Sequence, residues 1–274
     1  MPKENIYLKF WGTRGSLPTT GKRYEKCGGN TSCVEMRAGD NIIIFDAGSG
    51  IRELGESLLA EMPVTAHIFF THYHWDHIMG LPFFTPLFIP KNNFFIYGET
   101  KDGWTVKRVI EEQMVFPYFP VKFKDVANAT VKFKTVRPNQ TIKLEDAVVK
   151  TYRLKHPFAC LGFSVERRDS KVVHLTDIEH TNELDEGLVK FCQNADALIY
   201  DSAYTPEEYE SKKGWGHSTY EEACKLANAA KVKTLYLFHH EPTHSDEFME
   251  GILKEAKKLF KNSALSRDRL GKWF

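Results

Sequence analysis

Apolar and polar positions along the chain alternate in short runs and then recur at helical spacing, and this happens twice over. IYLKFWG alternates sides as a half-buried strand does. The glycine-rich TRGSLPTTG and CGGNTSC segments read as loops, and CVEMRAG and NIIIFDAG as strands, with Asp46 where the second one ends. From Ile51 to Leu59, IRELGESLL is amphipathic with a helical period, and AHIFFTH is an apolar strand running straight into a histidine cluster. GLPFFTPLFIP carries too much proline for a helix interior, FFIYG returns to strand, and TVKRVIEEQM predicts a helix closed by FPYFPV. The second half predicts strands near 130–136, 148–154, 161–167 and 171–176, a helix near 183–193 and the strand ALIYDSAY. A helix begins at STYEEACKLANAA, where Ser218 or Thr219 caps and Glu221 or Glu222 completes a capping box. The strand TLYLFHH and a last helix near EFMEGILKEAKKLFKN complete the chain. Strands followed by helices, twice, predict an α/β (α+β) fold of two sheets packed face to face with helices outside, a four-layer αββα sandwich.

No repeat, low-complexity tract or linker divides the 274 residues, so one domain spanning 1–274 is expected. With 42% hydrophobic residues and 20 Phe, the chain can bury a sizeable core. Its 37 Lys and Arg against 36 Asp and Glu give no global field towards nucleic acid or a membrane, although a local basic groove stays open. No apolar run reaches the roughly 18 residues of a membrane span. The N-terminal MPKENIYLKFWG has neither the apolar core nor the cleavage site of a signal peptide. Cys27, Cys33, Cys160, Cys192 and Cys224 are odd in number and scattered, as expected of reduced thiols in a cytoplasmic protein. Cys27 and Cys33 have no second pair to complete a zinc site and read as ordinary thiols.

THYHWDH changes the picture. It places His72, His74 and His77 with Asp76 within six residues at the end of an apolar strand. Clustered imidazoles repel when protonated, and a metal cation resolves this by holding them neutral. His156 precedes Pro157 after a strand, Asp177 follows KVVHLT and His239 follows TLYLF, each on a loop just past a strand. Seven nitrogen and oxygen ligands divide naturally into two sites sharing one bridging carboxylate. His67 and His174 lie within strands and read as structural. His180 and His244 are loop residues near the presumed ligands, and His240 points away from the site if its strand continues.

The order His-x-His-x-Asp-His, then isolated His, Asp and His, resembles the metallo-β-lactamase-fold hydrolases over essentially the whole chain. With FWGTRGSLP, CGGNTSC, FDAGSG, KHPFACLGF, LTDIE, LIYDSAY, GHST and LFHHEP, it is most similar to the branch of ribonuclease Z and related cyclic phosphodiesterases. The resemblance implies that His72, His74 and His156 hold one metal. Asp76, His77 and His239 hold the other, with Asp177 bridging and Asp76 counted in the catalytic set as well. It implies that Asp46 orients a histidine ligand, and that Asp201 and His217 form a pair near the leaving group. Here the chain has Asp201 where the ribonuclease pattern has Glu. A histidine oriented by a carboxylate suits proton donation to a departing alkoxide.

Two divalent ions sharing a bridging water would lower its pKa and offer a hydroxide as nucleophile. The cysteine-free ligand set suits Zn²⁺, with Mn²⁺ or Fe²⁺ open. The expectation is therefore a dinuclear metal-dependent phosphodiesterase acting on a cyclic nucleotide, a nucleic-acid end or a small phosphodiester. Hydrolysis of acyl esters, thioesters or lactones at the same site stands beside it, as do a diiron redox protein and a non-catalytic metal-binding module. Relatives in this branch that process tRNA carry a long basic arm. The segment near 91–126 is short and not strongly basic, which favours a small substrate. Trp104, Phe116, Tyr118 and Phe119 could stack a base there or form a buried lid. Arg14, between Gly12 and Gly15, could approach a phosphate or make a surface salt bridge. No membrane partner is expected, and a homodimer is compatible with the resemblance.

Overall fold

The computed structural model describes residues 5–181 and 183–274; residues 1–4 of the N-terminal reading, and Asn182 within the expected single domain, lie outside them. Fourteen strands among the described residues form two sheets of seven. The first contains β1 (Ile6–Gly12), β2 (Cys33–Ala38), β3 (Asn41–Phe45), β4 (Thr65–Phe69), β5 (Asn93–Glu99), β6 (Thr130–Val136) and β14 (Gly271–Trp273), in the order β14-β1-β2-β3-β4-β5-β6. The second contains β7 (Thr141–Lys143), β8 (Val148–Leu154), β9 (Cys160–Arg167), β10 (Ser170–Leu175), β11 (Ala197–Asp201), β12 (Leu235–Phe238) and β13 (Ser263–Leu265), in the order β13-β12-β11-β10-β9-β8-β7.

Each layer follows from side-chain period. In α1 (Ile51–Leu58), Ile51, Leu54, Gly55 and Leu58 are buried, the i, i+3, i+4, i+7 stripe that one helix face presents. That stripe joins the outer face of the first sheet with α3 (Val106–Gln113). The outer face of the second sheet packs on α5 (Glu186–Cys192), α7 (Tyr220–Ala229) and α8 (Asp246–Leu259). Between the sheets, Phe10, Phe45 and Phe69 meet Phe163, Tyr236 and Phe238. The predicted four-layer αββα sandwich is the observed one.

Differences lie at short or polar elements. The last helix does not complete the chain: two three-residue strands follow it, and β14 adds to the edge of β1 through Tyr7–Trp273 pairing. Thr219 does cap α7, accepting from Glu222 N–H, but the Glu222 carboxylate turns outward to Lys225. A complete capping box forms instead at α6 (Pro206–Tyr209), from Thr205 and Glu208. Among the described residues no helix is long and apolar enough to cross a membrane. All five cysteines are buried and unpaired with one another.

His174 is fully buried between the rings of Phe45 and Phe238, and burial pushes its pKa down to about 4. The fold therefore holds it neutral, while an unfolded histidine titrates near 6.5. A depressed folded pKa means this stability is present above pH 6.5 and is lost as pH falls through 4. His174→Leu is expected to gain roughly 3 kcal/mol relative to wild type between pH 6.5 and 4. Parallel urea melts at the two pH values check this, and an unchanged difference would refute it.

β3, β4 and β5 run parallel, as do β10, β11 and β12, and β8 shares the direction of β10 because both are antiparallel to β9. Their carboxyl ends open at one edge of the sandwich, the end at which such sheets place ligands. Asp46, the 71–77 loop, His156, Asp177, Asp201 and His239 all sit there.

Candidate metal centre

Residues 70–74 leave β4 as a loop, and α2 (Trp75–Ile78) turns Asp76 and His77 inward. Asp46, Asp177 and His239, each just past a strand, have φ of 61°, 54° and 61°. Left-handed backbone at non-glycine residues costs about 1–3 kcal/mol each and persists where the surroundings over-determine it. All three turns aim a site residue away from its strand.

Two groups of ligand atoms share no member, His72, His74, His156 and Asp177 in one and Asp76, His77 and His239 in the other, and a third, overlapping set joins Asp177, His217 and His239; within each, the atoms lie within 4.8 Å of one another. Asp177 faces both groups. Its Oδ1 is 3.7 Å from His72 Nε2 and 3.9 Å from His156 Nε2. Its Oδ2 is 3.2 Å from His77 Nε2 and 3.3 Å from His239 Nε2. Asp76 Oδ2 completes the second group at 3.2 Å from His77 Nε2 and 3.3 Å from His239 Nε2. Ligands of a tetrahedral ion with bonds near 2.0–2.1 Å stand roughly 3.3 Å apart, so this spacing suits a shared cation.

The donors are prepared for one. His77 Nδ1–H donates to Asp46 Oδ2 (2.7 Å), His156 Nδ1–H to the Gly216 carbonyl (2.8 Å), and His72 Nδ1 meets Thr71 Oγ1 (3.0 Å). Committing Nδ1 leaves Nε2 with the free lone pair. His72 Nε2 and His77 Nε2 are buried and make no hydrogen bond among the described residues, a rare state for a buried nitrogen unless a cation satisfies it. The residues therefore fit divalent metal on the chemistry of the donors.

Electrostatics agree. Burial opposes ionisation of Asp76 and Asp177, yet the facing histidines hold both well below the usual carboxylate range. Burial likewise opposes charging of His239, but Asp177 and Asp76 push it up to about 9, and Asp177, Asp76 and Asp46 hold His77 well above its ordinary value. Burial and the neighbouring imidazoles drive His72 well below its own. Protons and divalent cations thus compete for the same lone pairs.

Several supporting groups carry little sequence signal. Ser16 N–H donates to Asp76 Oδ2 at 2.8 Å, and a Cβ on Gly15 would come within 2.2 Å of the His239 ring. Gly15→Ala is expected to displace His239 and weaken metal binding by about 10–100-fold, the size of effect seen when ligand orientation is disturbed. Zinc titration by calorimetry checks this, and unchanged affinity would refute it. Asp46 also accepts from Thr71 N–H, Thr71 Oγ1 and Ser32 Oγ, so one carboxylate braces the histidine loop.

Arg14 does not make a surface ion pair. It is buried and donates to the carbonyls of Gly28, Glu241 and His244, pinning loops together. His67 meets Tyr97, His240 turns to the Ser266 carbonyl, His244 pairs with Glu208, and His180 meets Ser218.

Asp201 reaches its partner despite being shorter than Glu: its Oδ2 accepts from His217 Nδ1–H at 2.8 Å, and its Oδ1 accepts from Ala203 N–H and Ser218 N–H. The His217 ring stacks on His239 with centroids 4.7 Å apart. With Nδ1 engaged, Nε2 is the nitrogen left for chemistry.

Residues 41–240 match the model of the beta-lactamase superfamily domain. The chain belongs to that superfamily. Among curated relatives, ribonuclease Z of Thermococcus gammatolerans is 25% identical, over 96% of this chain and 93% of its own. Among solved structures, the metallo-beta-lactamase fold protein YhfI of Bacillus subtilis aligns with a TM-score of 0.74 at 18% identity, over 99% of this chain and 100% of its own. A diphosphatase from the PhnP family aligns with a TM-score of 0.71 at 19% identity, over 98% of each chain. The superfamily member described here thus has the metallo-beta-lactamase fold, with a histidine and aspartate cluster suited to divalent metal at its edge.

Proposed function

We propose that the protein is a dinuclear metal-dependent phosphodiesterase acting on a cyclic nucleotide, a nucleic-acid end or a small phosphodiester. The observation that carries this reading is the two-faced Asp177, whose oxygens point separately to His72 with His156 and to His77 with His239. His72, His74 and His156 would hold one ion and Asp76, His77 and His239 the other, with Asp177 shared. Divalent ions bound there, zinc by the donor set with manganese or iron as alternatives, lower the pKa of water and neutralise charge on a phosphoryl oxygen.

The chain's own groups supply the rest. Asp201 holds His217 by Nδ1 and stabilises its cation, so Nε2–H can donate to the departing alkoxide. Beside His72 and His74 lies a pocket of about 270 Å³ walled by Tyr73, Trp104 and Phe158. Tyr73 and Trp104 continue into an apolar groove of about 770 Å³ with Trp75, Phe83, Tyr118 and Phe119; Phe116 is not part of its wall. Trp75 is 80% exposed and Phe158 79%, beside a polar centre, which suits aromatic platforms for a nucleobase. Phe158 and Ala159 have φ of 62° and 72°, so strained backbone projects that ring.

The names of the relatives, ribonuclease Z and a diphosphatase, point to esters and anhydrides of phosphate. Between β5 and β6 the chain folds back as α3 and α4 (Phe123–Val126) onto the outer core, with no projecting arm among the described residues, which favours a small substrate over tRNA. The buried, unpaired thiols are in keeping with a cytoplasmic setting.

A panel of cyclic mononucleotides, cyclic dinucleotides, short RNA, bis-p-nitrophenyl phosphate and acyl esters, assayed with zinc or manganese, tests the reading. Phosphodiester turnover lost in His74→Ala supports it. Turnover of acyl esters alone, or metal binding without any hydrolysis, overturns it.

A further inference from the structure

His156 and His217 stand on loops, and loops hold a side chain only as well as they are themselves held. One buried carboxylate reaches both. Glu179 lies two residues beyond Asp177 and is 8% exposed. Its Oε1 accepts from Tyr209 O–H at 3.0 Å and Gly214 N–H at 2.7 Å, and its Oε2 accepts from Gly216 N–H at 3.1 Å. Its own N–H donates to the Lys155 carbonyl at 2.7 Å, immediately before His156. The Gly216 carbonyl then accepts from His156 Nδ1–H at 2.8 Å, and His217 follows in the chain.

The approach is tight as well as bonded. Gly216 has φ +90°, and a Cβ there would come within 2.3 Å of His156 Nδ1. The glycine backbone is therefore pressed against the imidazole it orients, and the carboxylate behind it sets where that backbone lies. Bonds to an ionised carboxylate are roughly twice as strong as neutral ones, which suits a brace on irregular chain.

We infer that Glu179 is a positioning residue that fixes the Nε2 direction of His156 and the seat of His217 by anchoring the Gly214–Gly216 backbone. This rests on the reading of His156 as a metal ligand. In Glu179→Gln, the amide oxygen can still take the two donors at Oε1, but its NH₂ then opposes Gly216 N–H. The Gly216 carbonyl shifts, and His156 loses the acceptor that commits its Nδ1.

Calorimetric zinc titration of the metal-free full chain, with cobalt absorption spectra alongside, tests this. Wild type is expected to bind in two steps. Glu179→Gln is expected to weaken one step by about 10–100-fold and leave the other within about twofold. Glu179→Asp, which keeps the charge but shortens its reach, is expected to show the same one-step loss and serves if the Gln variant does not fold. Tyr209→Phe, which spares the Gly216 tether, is expected to leave both steps unchanged. Two steps in wild type with neither or both weakened in the Glu179 variants overturns the brace alone. Wild type that takes up no metal overturns the functional reading beneath it, and the brace with it.

Discussion

Asp177→Ala is expected to reduce bound metal from two ions to at most one and to lower phosphodiesterase kcat by roughly 10³-fold or more. Five imidazoles face this carboxylate, from 3.2 Å at His77 to 3.9 Å at His156 and His217, and among the described residues no other carboxylate contacts both groups. Asp76 lies at the His77 and His239 side alone. Without Asp177, the His72 side retains three neutral imidazoles and no anion to offset a divalent charge. The His77 side loses one of the two carboxylates that face its Nε2. Metal analysis after gel filtration, with kinetics at saturating zinc, decides the matter; a variant that keeps two ions and full kcat would refute the shared-ligand reading.

His217→Ala should separate proton donation from metal binding. General acid catalysis contributes about 10²–10⁴-fold, so kcat on a substrate leaving as a ribose alkoxide should fall by that factor. Bis-p-nitrophenyl phosphate leaves as a weakly basic phenolate that needs no proton, and its turnover should fall far less. Asp201→Asn should follow the same pattern more mildly, because it removes the charge that stabilises the His217 cation at 2.8 Å. The alternative is that His217 is itself a ligand, since it lies within ligand range of Asp177 and His239. Metal content tells the two apart. Loss of an ion with equal losses on both substrates would show a ligand rather than an acid.

Much of this centre was legible in the chain because the relevant signals are local. THYHWDH is a seven-residue segment directly after an apolar strand, and His156, Asp177 and His239 each follow a segment that reads as a strand. Asp201 and His217, 16 residues apart, meet as the resemblance implied, and the shorter acid still reaches. Arg14 reads as a surface group because it stands between glycines, whereas three loop carbonyls enclose it. The two strands after the last helix carry little sequence signal because each is three residues long and is held by pairing, β13 with β12 and β14 with β1.

The remaining parts of the centre left no trace for a different reason. Ser16 N–H on Asp76 and the Gly216 carbonyl on His156 are backbone groups that every non-proline residue, or every residue, can offer, and each acts across 60 positions. The side-chain period along the chain was enough to specify two sheets, their helical covers and which histidines and aspartates end up past strand ends. Which oxygen of Asp177 faces which imidazoles depends on how two separate sheets are set against each other. That is a matter of packing between Phe45, Phe69, Phe163 and Phe238 in the shared core, and of left-handed turns at Asp46, Asp177 and His239 that only the assembled edge can hold.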